Sequence, residues 1–236
     1  MFYDLENPNE FLQDINSILA DNGTLIIQQN YLVGMLKNCA FDNVVHEHLE
    51  YYSLFSLEKL LNKNGLEVVE VEEREINGGS FRTYIKKLNS LKTYASVLQM
   101  RQKEREMGLD TILPYLSFAN RVAKISGSLR HLIQEKVKKG KKVYVYGAST
   151  RGNSLLQVAK IDNTLITGAA ERNSAKYGKF TTGTKIPIVS EEEARTKADY
   201  FLVLPWYFRS EIIKREKNFI KKGGRLIFPL PKLEVI

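Results

Sequence analysis

Lys142-Val143-Tyr144-Val145-Tyr146-Gly147-Ala148-Ser149-Thr150-Arg151-Gly152-Asn153-Ser154-Leu155-Leu156 is the stretch on which the fold turns. A β-type apolar run stops at a glycine, small residues follow, and helical spacing resumes at Leu155 and Leu156, which reads as strand, tight turn and helix. The alternation continues to the C-terminal end. Leu165 to Ala170 predicts a strand, Glu191 to Arg195 a helix, Tyr200 to Leu204 a strand, Ser210 to Lys221 a helix and Arg225 to Phe228 a closing strand. Strands and helices in this order at this spacing predict a parallel sheet with crossover helices, a Rossmann-like lobe over residues 140–236.

Upstream the pattern changes. Asn7-Pro8-Asn9-Glu10 carries an N-cap residue, proline at N1 and glutamate at N3, a capping-box signature. Phe11, Leu12, Ile15, Ile18 and Leu19 then recur on one helical face until Asn22-Gly23. Thr24 to Ile27 reads as a buried strand, and Ser56 as the cap of a helix carrying Leu57, Leu60 and Leu61 and stopped by Asn64-Gly65. Two β-type runs, Leu66 to Val71 and Ser80 to Ile85, are joined through Asn77-Gly78-Gly79. About three strands and two or three helices over 1–87 read as the second half of a larger α/β domain, leaving an open sheet edge for a separate N-terminal half or a second copy. Residues 88–139 read as a helical, basic connector, interrupted near Leu113-Pro114.

Composition bounds the classes. With 236 residues, 43% apolar and 26% charged, the chain is globular and disorder is excluded as its main state. No apolar run approaches the roughly 18 residues of a membrane span. The opening Met1-Phe2-Tyr3-Asp4 has no signal-peptide character, and a lone Cys39 cannot make an internal disulfide, so a cytoplasmic protein is expected. Residues 86–142 hold fourteen Lys/Arg against four Asp/Glu. Aromatic residues are not interleaved with them as a base-stacking surface requires, so the excess reads as a solvated helical face and not as a nucleic-acid site.

Four clusters can carry chemistry. His46-Glu47-His48 holds two of the three histidines around a carboxylate, a general-base pattern. It reads also as a packed helix start, and with Cys39 it matches no common zinc spacing, so no metal is expected. Asn77-Gly78-Gly79-Ser80-Phe81-Arg82 reads either as a hairpin turn or as a close backbone approach to substrate with Arg82 at hand. The Gly147 to Asn153 turn suits a phosphate or pyrophosphate at a helix N-terminus, with Arg151 and Asn153 in reach, although Ser149 stands where G-x-G-x-x-G has its middle glycine. Glu171, at the end of the second strand, lies where a ribose-binding acid would, and Trp206 follows a strand end that faces the ligand crevice of an open α/β sheet, where it reads equally as a packing residue.

Together these motifs resemble the C-methyltransferases that use S-adenosylmethionine on nucleotide-linked deoxysugars. Phe41-Asp42 through Glu47-His48 is similar to the family's active-site stretch, Asn77 to Arg82 to its His-Gly-Gly-Ser-x-Arg segment, and Tyr146 to Leu156 to its C-terminal glycine turn. Glu171-Arg172-Asn173 to Lys176-Tyr177-Gly178-Lys179, Gly183-Thr184 to Ile188, and Leu204-Pro205-Trp206 continue the match. The resemblance implies a partial class I methyltransferase sheet plus a Rossmann-like domain, joined by helices. It implies His48 as general base beside Glu47, and His46, Asn77, Arg82, Gly147, Arg151, Asn153, Glu171, Lys176 and Trp206 around a nucleotide-linked keto-deoxysugar. The cofactor implied is S-adenosylmethionine, but the glycine-rich first strand and turn that would hold it are not found here, so its binding residues are unassigned. Val45, Asp4 and Asn77 replace family residues, a tyrosine and two histidines. Those replacements suit a non-catalytic nucleotide-sugar-binding module, and the Rossmann-like lobe alone would suit an NAD(P)-dependent oxidoreductase.

Overall fold

The computed structural model describes residues 2–89 and 93–236. The described chain divides into two compact units, one running to Asn38 together with His46–Phe118, the other formed by Cys39–Val45 with Ala119–Ile236. The short segment Cys39–Val45 therefore leaves the first unit and packs with the second.

The first unit begins with a 3-10 turn at Phe2–Asp4 and helix α1 (Pro8–Ile18). Asn7 caps α1 by accepting from the Glu10 amide at 3.3 Å. The helix stops four residues short of Asn22, where Leu19 turns extended. Leu12 is fully buried, but Ile18, expected on the core face, lies in the last turn and is 78% exposed. Strand β1 (Leu25–Asn30) is not buried on both faces: Ile27 and Gln29 point inward while Ile26 and Gln28 face out, the alternation of a half-covered strand. After α2 (Leu32–Lys37) comes α3 (Leu54–Lys63), whose N-cap is Ser53 and not Ser56. Ser56 is the reciprocal partner of that cap, each hydroxyl accepting the other's amide at 3.0–3.1 Å.

Strands β2 (Leu66–Arg74) and β3 (Ser80–Lys87) form the expected hairpin, and β3 lies in the middle of an antiparallel sheet of order β1-β3-β2. Among the described residues β1 pairs on one edge only. Leu12, Leu54, Leu57, Leu61, Leu66, Phe81 and Ile85 make the fully buried centre, each worth about 1.5–3 kcal/mol of burial.

Residues 90–92 of the basic stretch lie outside the described residues. The rest is helical: α4 (Ala95–Glu106) packs on β2 and α3 within the first unit, and α5 (Leu113–Lys138) follows. Pro114 stands in the first turn of α5, where a missing amide costs nothing. Part of the basic excess is neutralised locally. Arg101 grips Glu58, and Lys103 bonds Glu73 on β2.

The second unit is built on β4 (Val143–Tyr146), α6 (Thr150–Val158), β5 (Gly168–Glu171), β6 (Ile188–Ser190), α7 (Glu191–Lys197), β7 (Tyr200–Val203), α8 (Arg209–Arg215), α9 (Lys217–Lys221), β8 (Arg225–Phe228) and β9 (Glu234–Val235). The sheet order is β6-β5-β4-β7-β8-β9, parallel except for β9. β4 is buried throughout, which is why its four residues show no alternation. Two strands escape the sequence pattern, β6 and β9, because two or three residues are too few to show a period. From β4 the chain winds outward to β5 and β6, then returns to β7 and winds the other way, so β4 and β7 flank the topological switch point.

Candidate functional site

The glycine-rich hairpin is explained by packing. Gly79 takes φ +122°, and a Cβ there would lie 2.8 Å from Cα of Gly34 in α2, while Tyr31 donates its amide to the Gly79 carbonyl at 3.2 Å. Asn38 Nδ2 donates to the Gly78 carbonyl at 2.8 Å. The close backbone approach at this turn is thus to the chain's own α2. Asn77 is exposed and occupies the left-handed corner at φ +55°, a conformation asparagine tolerates. Arg82 spans the sheet, with Nε and Nη2 on Gln28 Oε1 at 2.9 and 2.7 Å and Glu72 at 3.7 Å. Gln28, Arg82 and Glu72 stand opposite one another in the strand register, a cross-strand polar ladder.

The His46–His48 strip is held at its downstream end: the Leu49 and Glu50 amides both donate to the Tyr3 carbonyl, at 3.0 and 3.1 Å. The His48 ring stands edge-on to Tyr3 with centroids 4.6 Å apart, and it is half-buried. Glu47 makes its ion-pair contact with His46, Oε2 to Nδ1 at 3.4 Å, and both side chains are open to solvent. The contacts of Tyr3 with this strip are not revealed by the sequence pattern, since nothing in a Met-Phe-Tyr-Asp start distinguishes it.

A second feature of the first unit was not legible in the sequence. Glu104 of α4 is only 4% exposed, and its carboxylate accepts from Tyr31 Oη at 3.0 Å and from the Leu54 and Phe55 amides at 2.6 and 2.9 Å. It caps the start of α3 from another helix. Burial, then the neighbouring Glu104 charge, pushes the Tyr31 hydroxyl far above the ordinary tyrosine range. Beside it lies a cleft of about 870 Å³ walled by Tyr51, Phe55, Arg101, Arg105 and Tyr115.

In the second unit the expected nucleotide groups fall into two sets. Gly147 adopts φ +90° and donates its amide to Ala170. Glu171 accepts from the Ala148, Arg172 and Asn173 amides at 2.8–3.2 Å and from Lys176 Nζ at 3.3 Å, while Lys176 also donates to the Ala148 carbonyl at 2.9 Å. Burial works against the Glu171 charge, but these donors outweigh it and hold the carboxyl below its usual range. Glu171 and Lys176 thus shape the glycine turn from outside. Ser149 replaces the fingerprint's middle glycine as an N-cap, accepting the Gly152 amide at 3.1 Å. Gly152 keeps the fingerprint's packing role, because a Cβ there would come within 2.6 Å of Leu204 at the end of β7.

The other set converges on Asp42. Arg151 Nε and Nη2 donate to Asp42 Oδ2 at 3.0 and 2.7 Å, Trp206 Nε1 donates to the same oxygen at 3.1 Å, and the Arg151 guanidinium stacks on Tyr207 at 4.6 Å. Asp42 is 1% exposed, and burial raises its carboxyl above the ordinary aspartate range against the pull of Arg151 and Trp206. The Asp42 Oδ1 and Asn153 Oδ1 atoms are buried without hydrogen-bond partners. Arg151, expected on substrate, is therefore engaged by the protein's own carboxylate. So is Trp206.

The family described as C-methyltransferase C-terminal domain matches residues 75–231, and the methyltransferase domain family matches residues 1–71. The chain belongs to the C-methyltransferase family. It is 35% identical over 237 aligned positions to the C-methyltransferase NovU of Streptomyces niveus, an alignment that takes in the whole of this chain and 56% of that protein. The chain thus spans little more than half the length of the curated relative it matches. A methyltransferase family implies use of S-adenosylmethionine. In the described part of the first unit, however, β1 leads into Tyr31, which is buried against Phe81 and tied to Glu104, and no glycine turn follows a parallel strand. These residues form no cradle for the methyl donor. No helix of the described chain is long and apolar enough to cross a membrane.

Proposed function

We propose that this C-methyltransferase chain provides the base and the sugar-nucleotide-holding part of an S-adenosylmethionine-dependent enzyme that methylates carbon on a nucleotide-linked keto-deoxysugar. The observation that carries the reading is the His46–His48 strip, with His48 braced against Tyr3 and its following amides fixed to the Tyr3 carbonyl. A neutral imidazole held in one orientation can take a proton from the carbon beside a keto group. The electron pair left behind moves onto the carbonyl oxygen as an enolate, and the proton stays on His48 as imidazolium. Glu47 is adjacent in sequence, with its carboxylate 3.4 Å from His46 Nδ1. The described residues of the first unit supply no cradle for the methyl donor, so no step is assigned to them beyond proton removal.

The second unit, taken by itself, has at Gly147 a turn that suits a nucleotide at its strand ends. A nicotinamide cofactor is disfavoured, because Arg151 at the start of α6 is already neutralised by Asp42.

The test uses this chain completed to the length of its relative. His48→Ala should lower methyl transfer by at least a thousandfold and leave sugar-nucleotide affinity within about twofold. Near-normal turnover in that variant removes His48 from the mechanism.

A further inference from the structure

The cleft beside Glu104 lies wholly within the first unit and takes no part in proton removal by His48. Its volume, about 870 Å³, is that of a small-molecule site. Three aromatic rings line it, Tyr51, Phe55 and Tyr115, with Arg101 and Arg105 of α4 and the exposed carboxylate of Asp110. Much of the polar wall is already committed. Glu104 accepts from three donors, and Glu58 holds Arg101 in a fork at 2.6–3.0 Å. Tyr115 Oη donates to the Leu109 carbonyl at 2.9 Å, which fixes its ring. Phe55 has its amide tied to Glu104 and yet leaves its side chain 70% exposed. A ring held in water on an anchored backbone is a stacking surface.

Two charges on this wall are left over. Arg101 and Arg105 stand four residues apart on α4 and so share a face, an arrangement in which like charges repel. Glu58 neutralises Arg101. Arg105 bonds Gln102 Oε1 at 3.1 Å and has no carboxylate partner among the described residues. A planar guanidinium with donors to spare matches the oxygens of a phosphate. Asp110 likewise has no ion pair among the described residues, and its charge, after burial and Glu104, helps to raise the Tyr115 hydroxyl above the ordinary tyrosine range. The wall therefore offers a cation for an anionic group, an acceptor for hydroxyl or amino donors, and rings for a flat body between them. We propose that this cleft binds a nucleoside phosphate, with the base against Phe55 and Tyr115, the phosphate on Arg105, and the ribose hydroxyls or a base amino group on Asp110. The site depends neither on His48 being the base nor on the Gly147 turn of the second unit.

Isothermal titration of the intact chain with adenosine and uridine 5′-monophosphates tests it. At least one should bind saturably, with the matching nucleoside and inorganic phosphate each about tenfold weaker or worse. Added salt should weaken the nucleotide and leave the nucleoside unchanged. Arg105→Gln should cost about tenfold or more in nucleotide affinity, the loss of a charge-assisted contact. Arg105→Lys, which keeps the charge and loses the fork, should retain part of it. Phe55→Ala should cost about twofold to tenfold, the range for an aromatic stacking contact. Arg105 and Phe55 are both exposed, so these variants should fold, and far-ultraviolet circular dichroism checks that they do. Saturable binding by neither nucleotide overturns the proposal, as does affinity unchanged in both Arg105→Gln and Phe55→Ala. Benzoate binding as tightly as the nucleotide also overturns it, because the donors and the phosphate then contribute nothing. Asn153→Ala, in α6 of the second unit, should leave the affinity as it is; loss of binding there with the first-unit variants unaffected would place the nucleotide on the second unit and refute the cleft.

Discussion

Replacing Gly79 with alanine should destabilise the first unit by an amount the structure lets one work out. The residue sits at φ +122° and ψ 113°, outside the regions that L side chains occupy, and holding a non-glycine residue there costs about 1–3 kcal/mol. The new Cβ would also lie 2.8 Å from Gly34 Cα and 3.2 Å from its carbonyl carbon. These are backbone atoms, so relief requires α2 to move, and overpacking of this kind costs about 1–3 kcal/mol. Loss of unfolded-state freedom returns about 0.4–1 kcal/mol. The net is about 3 kcal/mol, equivalent to roughly a hundredfold loss of protection for exchange through unfolding. Gly34→Ala creates the reciprocal clash, 2.9 Å to Gly79 Cα, but in a helix where alanine gains about 1 kcal/mol, so it should cost only about 1 kcal/mol net. Native-state hydrogen exchange at β3 separates the two. Equal losses for both variants, or a loss under about 1 kcal/mol for Gly79→Ala, would show that the positive φ is not a constraint.

Glu104→Ala strands three donors and uncaps α3, at about 1–3 kcal/mol for each unsatisfied buried group. A loss of about 3–5 kcal/mol is expected in urea unfolding followed by circular dichroism, and a loss under 1 kcal/mol would mean that the Tyr31, Leu54 and Phe55 bonds do not hold in solution. In the second unit Glu216 is 1% exposed; burial opposes its charge, but Arg195 and Tyr146 hold its carboxyl below the usual glutamate range. A depressed folded pKa contributes stability that is present above the usual value of 4.5 and is lost as pH falls through the lower folded value. Acid titration monitored by Trp206 fluorescence should therefore show destabilisation in that window, flattened in Glu216→Gln. Asp42 has the opposite sign: its raised carboxyl makes a contribution that grows as pH falls through the folded value, so Asp42→Asn should not reproduce the Glu216→Gln profile.

The parallel lobe was legible in the sequence because β4 and β7 are continuous apolar runs and Gly147 and Gly152 punctuate them. β6 and β9 were not, being too short to carry a period. In the first unit the capping signals placed the start of α1 and the stop of α3 but misplaced the end of α1 and the start of α3. Ser53 and Ser56 are both competent caps, and only packing chooses between them. The largest gaps concern side chains whose partners are distant in sequence. Glu104 reads as one charge in a basic helix, and its burial depends on meeting the start of α3, about fifty residues away. Arg151 reads as a phosphate ligand until Asp42, more than a hundred residues upstream, is seen to occupy it. The Gly78-Gly79 pair was ambiguous for the same reason, since its reason for being glycine is Gly34.

Deuterium uptake bears on the account without needing the methyl donor. A nucleotide-linked keto-deoxysugar incubated with the protein in D₂O should exchange the proton beside its keto group faster than in buffer alone, with His48→Ala returning the rate to the buffer value while the sugar nucleotide still binds. Exchange that is equally fast in His48→Ala, or no exchange above buffer despite tight binding, would contradict the assignment of proton removal to His48.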